Sequence, residues 1–174
     1  MKALIVVDMQ NDFIDGSLGT KEAVAILDNV VKRIEECKNE LIIFTQDTHG
    51  EDYLDTPEGK KLQVVHCLEG TTGWQIHDRI QQACKENENT IVFTKPVFGS
   101  TKLVNFLEGR KNEIKEVEIL GVCTDICVVS NAIMIKNTIP DMKISVNAKC
   151  CAGVTPKSHQ EALNVMEMCQ IDIV

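Results

Sequence analysis

The chain passes from an apolar run, through a glycine, into a helical segment in the stretch Val117-Glu118-Ile119-Leu120-Gly121-Val122-Cys123-Thr124-Asp125-Ile126-Cys127. Residues 117–120 have the length and apolar character of a buried strand, and residues 124–135 carry few charges and predict a helix. The same alternation continues in both directions along the chain. Further strands are predicted at residues 4–7, 41–44, 91–93, 144–146 and 171–174, and further helices at residues 23–34, 76–83, 103–107 and 156–168.

Continuous apolar strands that alternate with helices favour a parallel sheet covered by helices on both faces. The predicted fold is therefore α/β, a three-layer α/β/α arrangement with a mostly parallel, Rossmann-like sheet of about five or six strands. A length of 174 residues is typical of one domain, so a single domain is expected over residues 1–174.

Composition narrows the class of function. Hydrophobic residues make up 44% and charged residues 25%, which excludes a disordered chain, a collagen-like fibre and a coiled coil. Lys and Arg number 18 against 26 Asp and Glu, so the net charge of −8 argues against binding to nucleic acid. No apolar stretch has the length of a membrane span. These features favour a soluble enzyme that handles small molecules.

The cysteines and the N-terminus indicate a reducing compartment. The chain has eight cysteines, yet it is not a short secreted domain, and its first residues read as a buried strand rather than a secretory leader. We expect reduced thiols in a cytoplasmic protein, most of them small core residues.

Residues able to carry chemistry follow the predicted strands. Asp8, Asp47 with His49, Lys95 and residues 121–127 each come where a strand ends. In open parallel sheets the functional site lies outside the carboxyl ends of the strands, so these residues are expected to meet there.

Cys127, Asp8 and Lys95 make up a nucleophile, a base and a cation, which is the minimum set for covalent hydrolysis of an amide. Cys127 is expected near a helix N-terminus, where the helix dipole and free backbone N–H groups favour a thiolate. Taken one at a time, each residue also has a structural reading, as a core cysteine, a capping aspartate or a solvated lysine.

A second set of residues has the spacing of a metal site. Asp47 and His49 stand one residue apart on an extended segment, and His66 follows in the long polar loop of residues 50–73. Two histidines and an aspartate suit a catalytic zinc or a similar divalent ion, although one such pair also occurs by chance. The remaining histidines, His77 and His159, read as surface or capping residues.

Three motifs in order along the chain resemble those of the isochorismatase-like cysteine hydrolases, and within them the nicotinamidase/pyrazinamidase branch. They are Val6-Val7-Asp8-Met9-Gln10-Asn11-Asp12-Phe13, then Thr94-Lys95-Pro96-Val97-Phe98-Gly99-Ser100, then Gly121-Val122-Cys123-Thr124-Asp125-Ile126-Cys127-Val128. The segment His66-Cys67-Leu68-Glu69-Gly70-Thr71-Thr72-Gly73 is similar to the part of that branch that follows its last metal-binding histidine.

The resemblance implies a reaction and a role for each catalytic residue. Cys127 is the implied nucleophile, Asp8 the general base and Lys95 the stabilising cation. The backbone N–H groups of Cys123 and Cys127 are the implied oxyanion hole, with a cis peptide bond between Val122 and Cys123. The implied reaction converts nicotinamide to nicotinate and ammonia through a cysteine thioester, within pyridine nucleotide salvage.

The resemblance also implies one divalent metal ion that positions the pyridine nitrogen, with zinc favoured and iron or manganese as alternatives. Its implied ligands are Asp47, His49 and His66, with Glu58 as the best match for a fourth ligand and Asp55 as a weaker one. Phe13, Trp74 and Phe98 are the implied aromatic walls. Val64-Val65 stands where the branch often has Trp-Pro.

The sequence is also compatible with two other functions. One is a metal-free hydrolase of the same superfamily that acts on another small amide or an N-carbamoyl compound. The other is a redox or binding module that uses Cys123 and Cys127 as a thiol pair. The expected partners are a small-molecule amide and further copies of the chain, as a dimer or tetramer, with neither nucleic acid nor membrane.

Overall fold

A parallel sheet of six strands forms the centre of the fold in the computed structural model, which describes residues 1–174. The strands are β1 (Lys2–Val7), β2 (Leu41–Asp47), β3 (Thr90–Lys95), β4 (Glu116–Val122), β5 (Lys143–Ala152) and β6 (Asp172–Ile173). Their order across the sheet is β3-β2-β1-β4-β5-β6, and every neighbouring pair is parallel. The predicted parallel α/β sheet is confirmed.

Helices cover both faces of this sheet. They are α1 (Asn11–Ile14), α2 (Lys21–Glu36), α3 (Asp78–Ala83), α4 (Thr101–Gly109), α5 (Val129–Thr138) and α6 (Pro156–Met168). Helix α2 contacts α1 and α3, whereas α5 contacts α4 and α6, so the helices form two groups around the sheet. The predicted three-layer α/β/α fold is therefore confirmed. No helix combines the length and the apolar character needed to cross a bilayer.

Most strands extend beyond their predicted ends. Strand β2 continues to Asp47 and β3 continues to Lys95, in both cases past the apolar run and into polar residues. The cause is that the backbone ladder does not depend on side-chain polarity, and Asp47 and Lys95 are directly paired across β2 and β3. The sheet thus carries these two polar side chains rigidly.

Three short elements lie outside the sequence prediction, and one of them is the 3-10 turn Tyr53–Asp55. The short helix α1 follows β1, and residues Thr124–Val128 form a single π-helical turn before α5 begins at Val129. Apolar periodicity cannot separate a π turn from an α-helix over five residues. Such turns are rare and are found mostly at functional sites.

The chain order reverses between β1 and β4, which lie side by side at the middle of the sheet. Such a reversal leaves a crevice at the carboxyl ends of the strands. At this place Gly121 has φ +122, and a Cβ there would lie 2.1 Å from the carbonyl oxygen of Val7. A glycine is therefore required for β4 to approach β1 closely just before the turn Thr124–Val128, which carries Cys127.

A buried ion network lies on the face of the sheet under α2. The carboxylate of Glu118 is 4% exposed and receives hydrogen bonds from Arg33 Nε (2.8 Å) and Nη2 (2.7 Å). Lys2 Nζ lies 2.9 Å away, and Asn147 Nδ2 donates at 3.1 Å. Burial raises the pKa of Glu118, but these donors outweigh burial and lower it to about 2.

Glu118 is expected to make stability depend on pH in the acid range. Because its pKa is lower in the folded state than the unfolded value of about 4.3, its contribution is complete above that value and is lost as pH falls towards 2. Glu118→Gln should reduce the free energy of unfolding at pH 7 by about 1–3 kcal/mol and flatten the loss between pH 4 and 2. Urea denaturation across this range measures both effects.

Glu116→Gln is the matched control, since Glu116 lies on the same strand, is partly exposed and is 3.7 Å from Lys2 and 3.6 Å from Lys143. It should change stability by less than about 1 kcal/mol. An acid-induced loss as steep in Glu118→Gln as in the wild type would contradict the role given to this carboxylate.

Candidate active site

The ammonium of Lys95 lies at the centre of the predicted site. Its Nζ is 2.7 Å from Asp8 Oδ2, 3.6 Å from Cys127 Sγ and 3.2 Å from Asp47 Oδ1. Lys95 is 2% exposed, and Asp8 is fully buried. The structure therefore brings together the three predicted catalytic residues and links them directly to the predicted metal site.

Asp8 is held from two sides at the end of β1. Its backbone lies in the left-handed region with φ +48, and its amide donates to Thr45 O (3.2 Å). The hydroxyl of Thr45 donates to Asp8 Oδ1 at 2.7 Å, which leaves Oδ2 facing Lys95. Thr45 was not predicted from the sequence, since its only signal is a polar residue directly after the apolar run of β2.

Burial and charge set the protonation of this cluster. Burial lowers the pKa of Lys95, but the Asp8 carboxylate, Cys127 and Asp47 outweigh burial and raise it well above its ordinary value, so the ammonium stays charged. Burial raises the pKa of Asp8 against the opposing effect of Lys95. Asp8 is thus a stronger base than an exposed aspartate.

Burial acts against a thiolate at Cys127. It raises the pKa of Cys127 well above its ordinary value, and the nearby Asp8 carboxylate raises it further. Cys127 lies in the first turn of the helical segment that starts at Thr124, near its N-terminus as expected, but that turn is π-helical. The thiol therefore needs a base, the role predicted for Asp8 from the sequence.

The turn that carries Cys127 is fixed by backbone geometry and by a buried amide. The Val122–Cys123 peptide bond is cis, as the family resemblance implies, and the N–H of Cys123 forms no hydrogen bond within the chain. The side chain of Asn131 donates to Cys127 O (2.8 Å) and accepts from the amide of Ser100 (2.9 Å). Asn131 was not predicted, although a polar residue in an apolar helix is a usable signal.

The three predicted metal ligands are buried together. Ligand atoms of Asp47, His49 and His66 lie within 4.8 Å of one another. His49 Nε2 is 2.9 Å and His66 Nε2 is 3.7 Å from Asp47 Oδ2. His66 Nδ1 lies 2.8 Å from the carbonyl of Val64, to which it can donate, and this leaves Nε2 free to bind a metal. The donor set fits a divalent ion such as zinc.

Glu58 approaches the same cluster, and Asp55 is not among the residues that the structure brings into it. Glu58 Oε1 lies 3.8 Å from His66 Nε2, within the reach of a small side-chain movement. Burial raises the pKa of Glu58, as does the neighbouring Asp47 carboxylate. Asp55 lies in the 3-10 turn Tyr53–Asp55.

Two residues of the opening motif anchor the backbone beside the predicted metal ligands. Gln10 is fully buried, and its side chain both accepts from the amide of Asp47 (2.7 Å) and donates to Asp47 O (2.8 Å). Asp12 Oδ2 accepts from the amide of Cys67 (2.7 Å), the residue that follows His66. The sequence motif contains both residues, but their partners are distant in sequence and give no local signal.

The predicted aromatic walls separate into two groups. Phe13 lies 5.5 Å from the His66 ring, and Phe98 lines a cavity of about 640 Å³ together with His49 and Glu58. Trp74 instead lines a different depression beside Phe44, and its Nε1 donates to Thr48 Oγ1 (2.8 Å). The structure thus brings Phe13 and Phe98 to the site and leaves Trp74 as a half-buried anchor beside it.

The other two histidines stay outside the cluster. His77 is the N-cap of α3 and accepts from the amide of Arg79 (3.2 Å), which confirms the expected capping role. His159 Nδ1 lies 2.8 Å from the buried Thr124 Oγ1, so it contacts the nucleophile turn from α6.

A family profile and a named relative both match almost the whole chain. Residues 2–173 match the family profile described as the isochorismatase domain. The chain is 28% identical over 192 residues to the nicotinamidase/pyrazinamidase of Mycobacterium tuberculosis, with 100% of this chain and 98% of that protein covered.

Two solved structures are similar over their whole length. The pyrazinamidase/nicotinamidase of Streptococcus mutans superposes with a TM-score of 0.86 at 28% identity, covering 100% of both chains. The pyrazinamidase of Pyrococcus horikoshii, solved in complex with zinc, has a TM-score of 0.83 at 26% identity and covers 99% of this chain and 98% of that one.

Removing the buried cation tests the geometry of the site. Lys95→Met keeps most of the side-chain volume but leaves the carboxylates of Asp8 and Asp47 without their shared partner. The free energy of unfolding should fall by about 3–5 kcal/mol, and adding Asp8→Asn should recover part of the loss. Denaturation by urea measures both differences.

Lys102→Met is the control, because Lys102 is exposed on α4 and should tolerate the change within about 0.5 kcal/mol. If Lys95→Met is as stable as this control, then Lys95 does not neutralise the two carboxylates.

Proposed function

This chain belongs to the isochorismatase family and is an amidohydrolase, and we propose that it hydrolyses nicotinamide to nicotinate and ammonia through a thioester on Cys127. The observation that carries the proposal is the position of Lys95, whose ammonium contacts Asp8, Cys127 and Asp47 at once. The relatives described above are named for nicotinamide and pyrazinamide hydrolysis, and they match the whole chain.

The first step is formation of the nucleophile. Asp8 takes the thiol proton of Cys127, and the ammonium of Lys95 stabilises the thiolate at 3.6 Å. The raised pKa of Asp8 supports this transfer, because a more basic carboxylate accepts a thiol proton more readily. The sulfur then adds to the carboxamide carbon, and the carbonyl electron pair moves to the oxygen.

The oxyanion that forms lies against the nucleophile turn. The backbone N–H of Cys123, which has no partner within the chain, is available to donate to it, together with the N–H of Cys127. The carbon–nitrogen bond then breaks, and Asp8 returns its proton to the leaving ammonia. Loss of a single oxyanion donor typically costs about 2.7–4 kcal/mol of transition-state stabilisation.

Hydrolysis of the thioester completes the cycle. Asp8 removes a proton from a water molecule, and the oxygen adds to the acyl carbon. The carbon–sulfur bond then breaks, and Asp8 returns the proton that it took from water to the Cys127 sulfur. The carboxylic acid leaves and ionises to nicotinate, so both the thiol and the Asp8 carboxylate are restored. Overall one water is consumed, and one ammonia and one carboxylic acid are released.

Asp47, His49 and His66 are the residues that would hold the metal, and Glu58 is close enough to serve as a fourth ligand. The ion, which we propose is zinc with iron or manganese as alternatives, would supply a Lewis-acid contact for the pyridine nitrogen. Phe13 and Phe98 are proposed to bound the space for the ring, since both lie beside this cluster. Trp74 is not assigned to that role.

Ammonia release from nicotinamide tests the proposal. Zinc-loaded wild type should release one ammonia for each nicotinate formed, and Cys127→Ala should lose at least about 10³-fold in kcat/KM because no other group replaces the nucleophile. Removal of the metal by a chelator should abolish turnover at moderate nicotinamide concentrations, and zinc, iron or manganese should restore it.

Cys37→Ala is the matched control, because Cys37 is an equally buried thiol at the C-terminal end of α2. It should keep wild-type kcat/KM within a few-fold. No turnover by the metal-loaded wild type would refute nicotinamide as substrate, and full activity of the chelated enzyme on another amide or an N-carbamoyl compound would favour the metal-free alternative.

A further inference from the structure

Tyr53 packs against two of the proposed metal ligands. It begins the 3-10 turn Tyr53–Asp55 and is 1% exposed. Its ring lies 4.7 Å from the ring of His49 and 4.9 Å from that of His66, and the two imidazoles are 4.9 Å apart. Three rings therefore form a closed triangle with nearly equal sides.

The same tyrosine forms hydrogen bonds with the loop on which it lies. Its hydroxyl donates to Leu62 O at 2.9 Å, and its carbonyl accepts from both the amide and the hydroxyl of Thr56. Gly59 passes so close that a Cβ there would lie 2.0 Å from the Tyr53 carbonyl oxygen. The segment between residues 53 and 62, which carries Glu58, is thereby fixed relative to the tyrosine ring.

The two imidazoles differ in how the rest of the chain holds them. His66 Nδ1 lies within hydrogen-bonding distance of the carbonyl of Val64 (2.8 Å), the kind of contact that usually orients a metal-binding histidine. His49 has no hydrogen bond at Nδ1, and its one polar contact is Nε2 to Asp47 Oδ2. The Nδ1 side of the His49 ring is consequently held by packing alone, and the nearest aromatic ring in that packing is Tyr53.

We propose that Tyr53 is a positioning residue that holds the rings of His49 and His66 in the orientation needed to bind the divalent metal. It replaces, by ring packing, the hydrogen bond that His49 lacks, and it ties the loop of Glu58 to the same point. This inference rests on the proposed metal-dependent function. A free imidazole must lose rotational freedom when it binds an ion, and a ring already held in place avoids that cost.

Metal affinity, measured without substrate, tests this role. Competition between the protein and a chromophoric chelator for Zn²⁺ gives the dissociation constant for wild type, Tyr53→Phe and Tyr53→Leu. Tyr53→Leu removes the ring and should weaken binding about 10- to 100-fold. Tyr53→Phe keeps the ring and loses only the bond to Leu62, so its affinity should stay much closer to that of the wild type.

The visible spectrum of the Co²⁺-substituted protein supplies a second readout, because its d–d bands report the ligand geometry rather than global stability. They should change in Tyr53→Leu and be retained in Tyr53→Phe. Phe106→Leu is the control, since it breaks the Phe93–Phe106 ring pair (5.4 Å) on another part of the sheet. It should leave both affinity and spectrum unchanged.

The outcomes separate this inference from the proposed function. Wild type and Tyr53→Leu with equal affinity and identical Co²⁺ spectra would overturn the role of Tyr53 while leaving metal dependence intact. A wild type that binds neither ion would overturn the metal site and this inference together. If Tyr53→Leu does not fold, Tyr53→Met, whose flexible side chain fills the space without a ring, gives the same comparison.

Discussion

One buried ammonium holds the site together. Lys95 lies between the carboxylates of Asp8 and Asp47, and neither acid can stay ionised in the interior without a neighbouring positive charge. The two acids belong to different parts of the proposed chemistry, since Asp8 faces Cys127 and Asp47 faces the two histidines. Their shared cation links the proposed site of amide cleavage to the proposed binding site of the ring nitrogen.

The parallel sheet supplies the frame for this interaction. The order β3-β2-β1-β4 brings Lys95, Asp47, Asp8 and the turn of Cys127 from four neighbouring strands to one edge. Lys95 begins two strands away from Asp8, and its long side chain spans β2 to reach it. The close approach of β4 to β1 at Gly121 then brings the thiol of Cys127 to within 3.6 Å of the same ammonium.

Sequence patterns predicted the sheet, the strand ends and the residues gathered there, because an apolar run followed by a charged residue is a local signal. They did not predict Gln10, Thr45, Tyr53 or Asn131 as supports of the site, since each acts on partners that are remote in the chain. Trp74 was predicted to line the site but lines a different depression, because a position next to the loop of His66 does not determine which side the ring faces. The raised pKa of Cys127 comes mainly from burial, which the motif around a cysteine does not reveal.

The covalent intermediate tests the central claim most directly. Protein mixed with excess nicotinamide and quenched in acid during turnover can be analysed by intact-mass and peptide mass spectrometry. A nicotinoyl adduct on Cys127 is expected to appear before the steady state and to be absent from Cys127→Ala. Turnover without any adduct, or an adduct on Cys123 in place of Cys127, would contradict it.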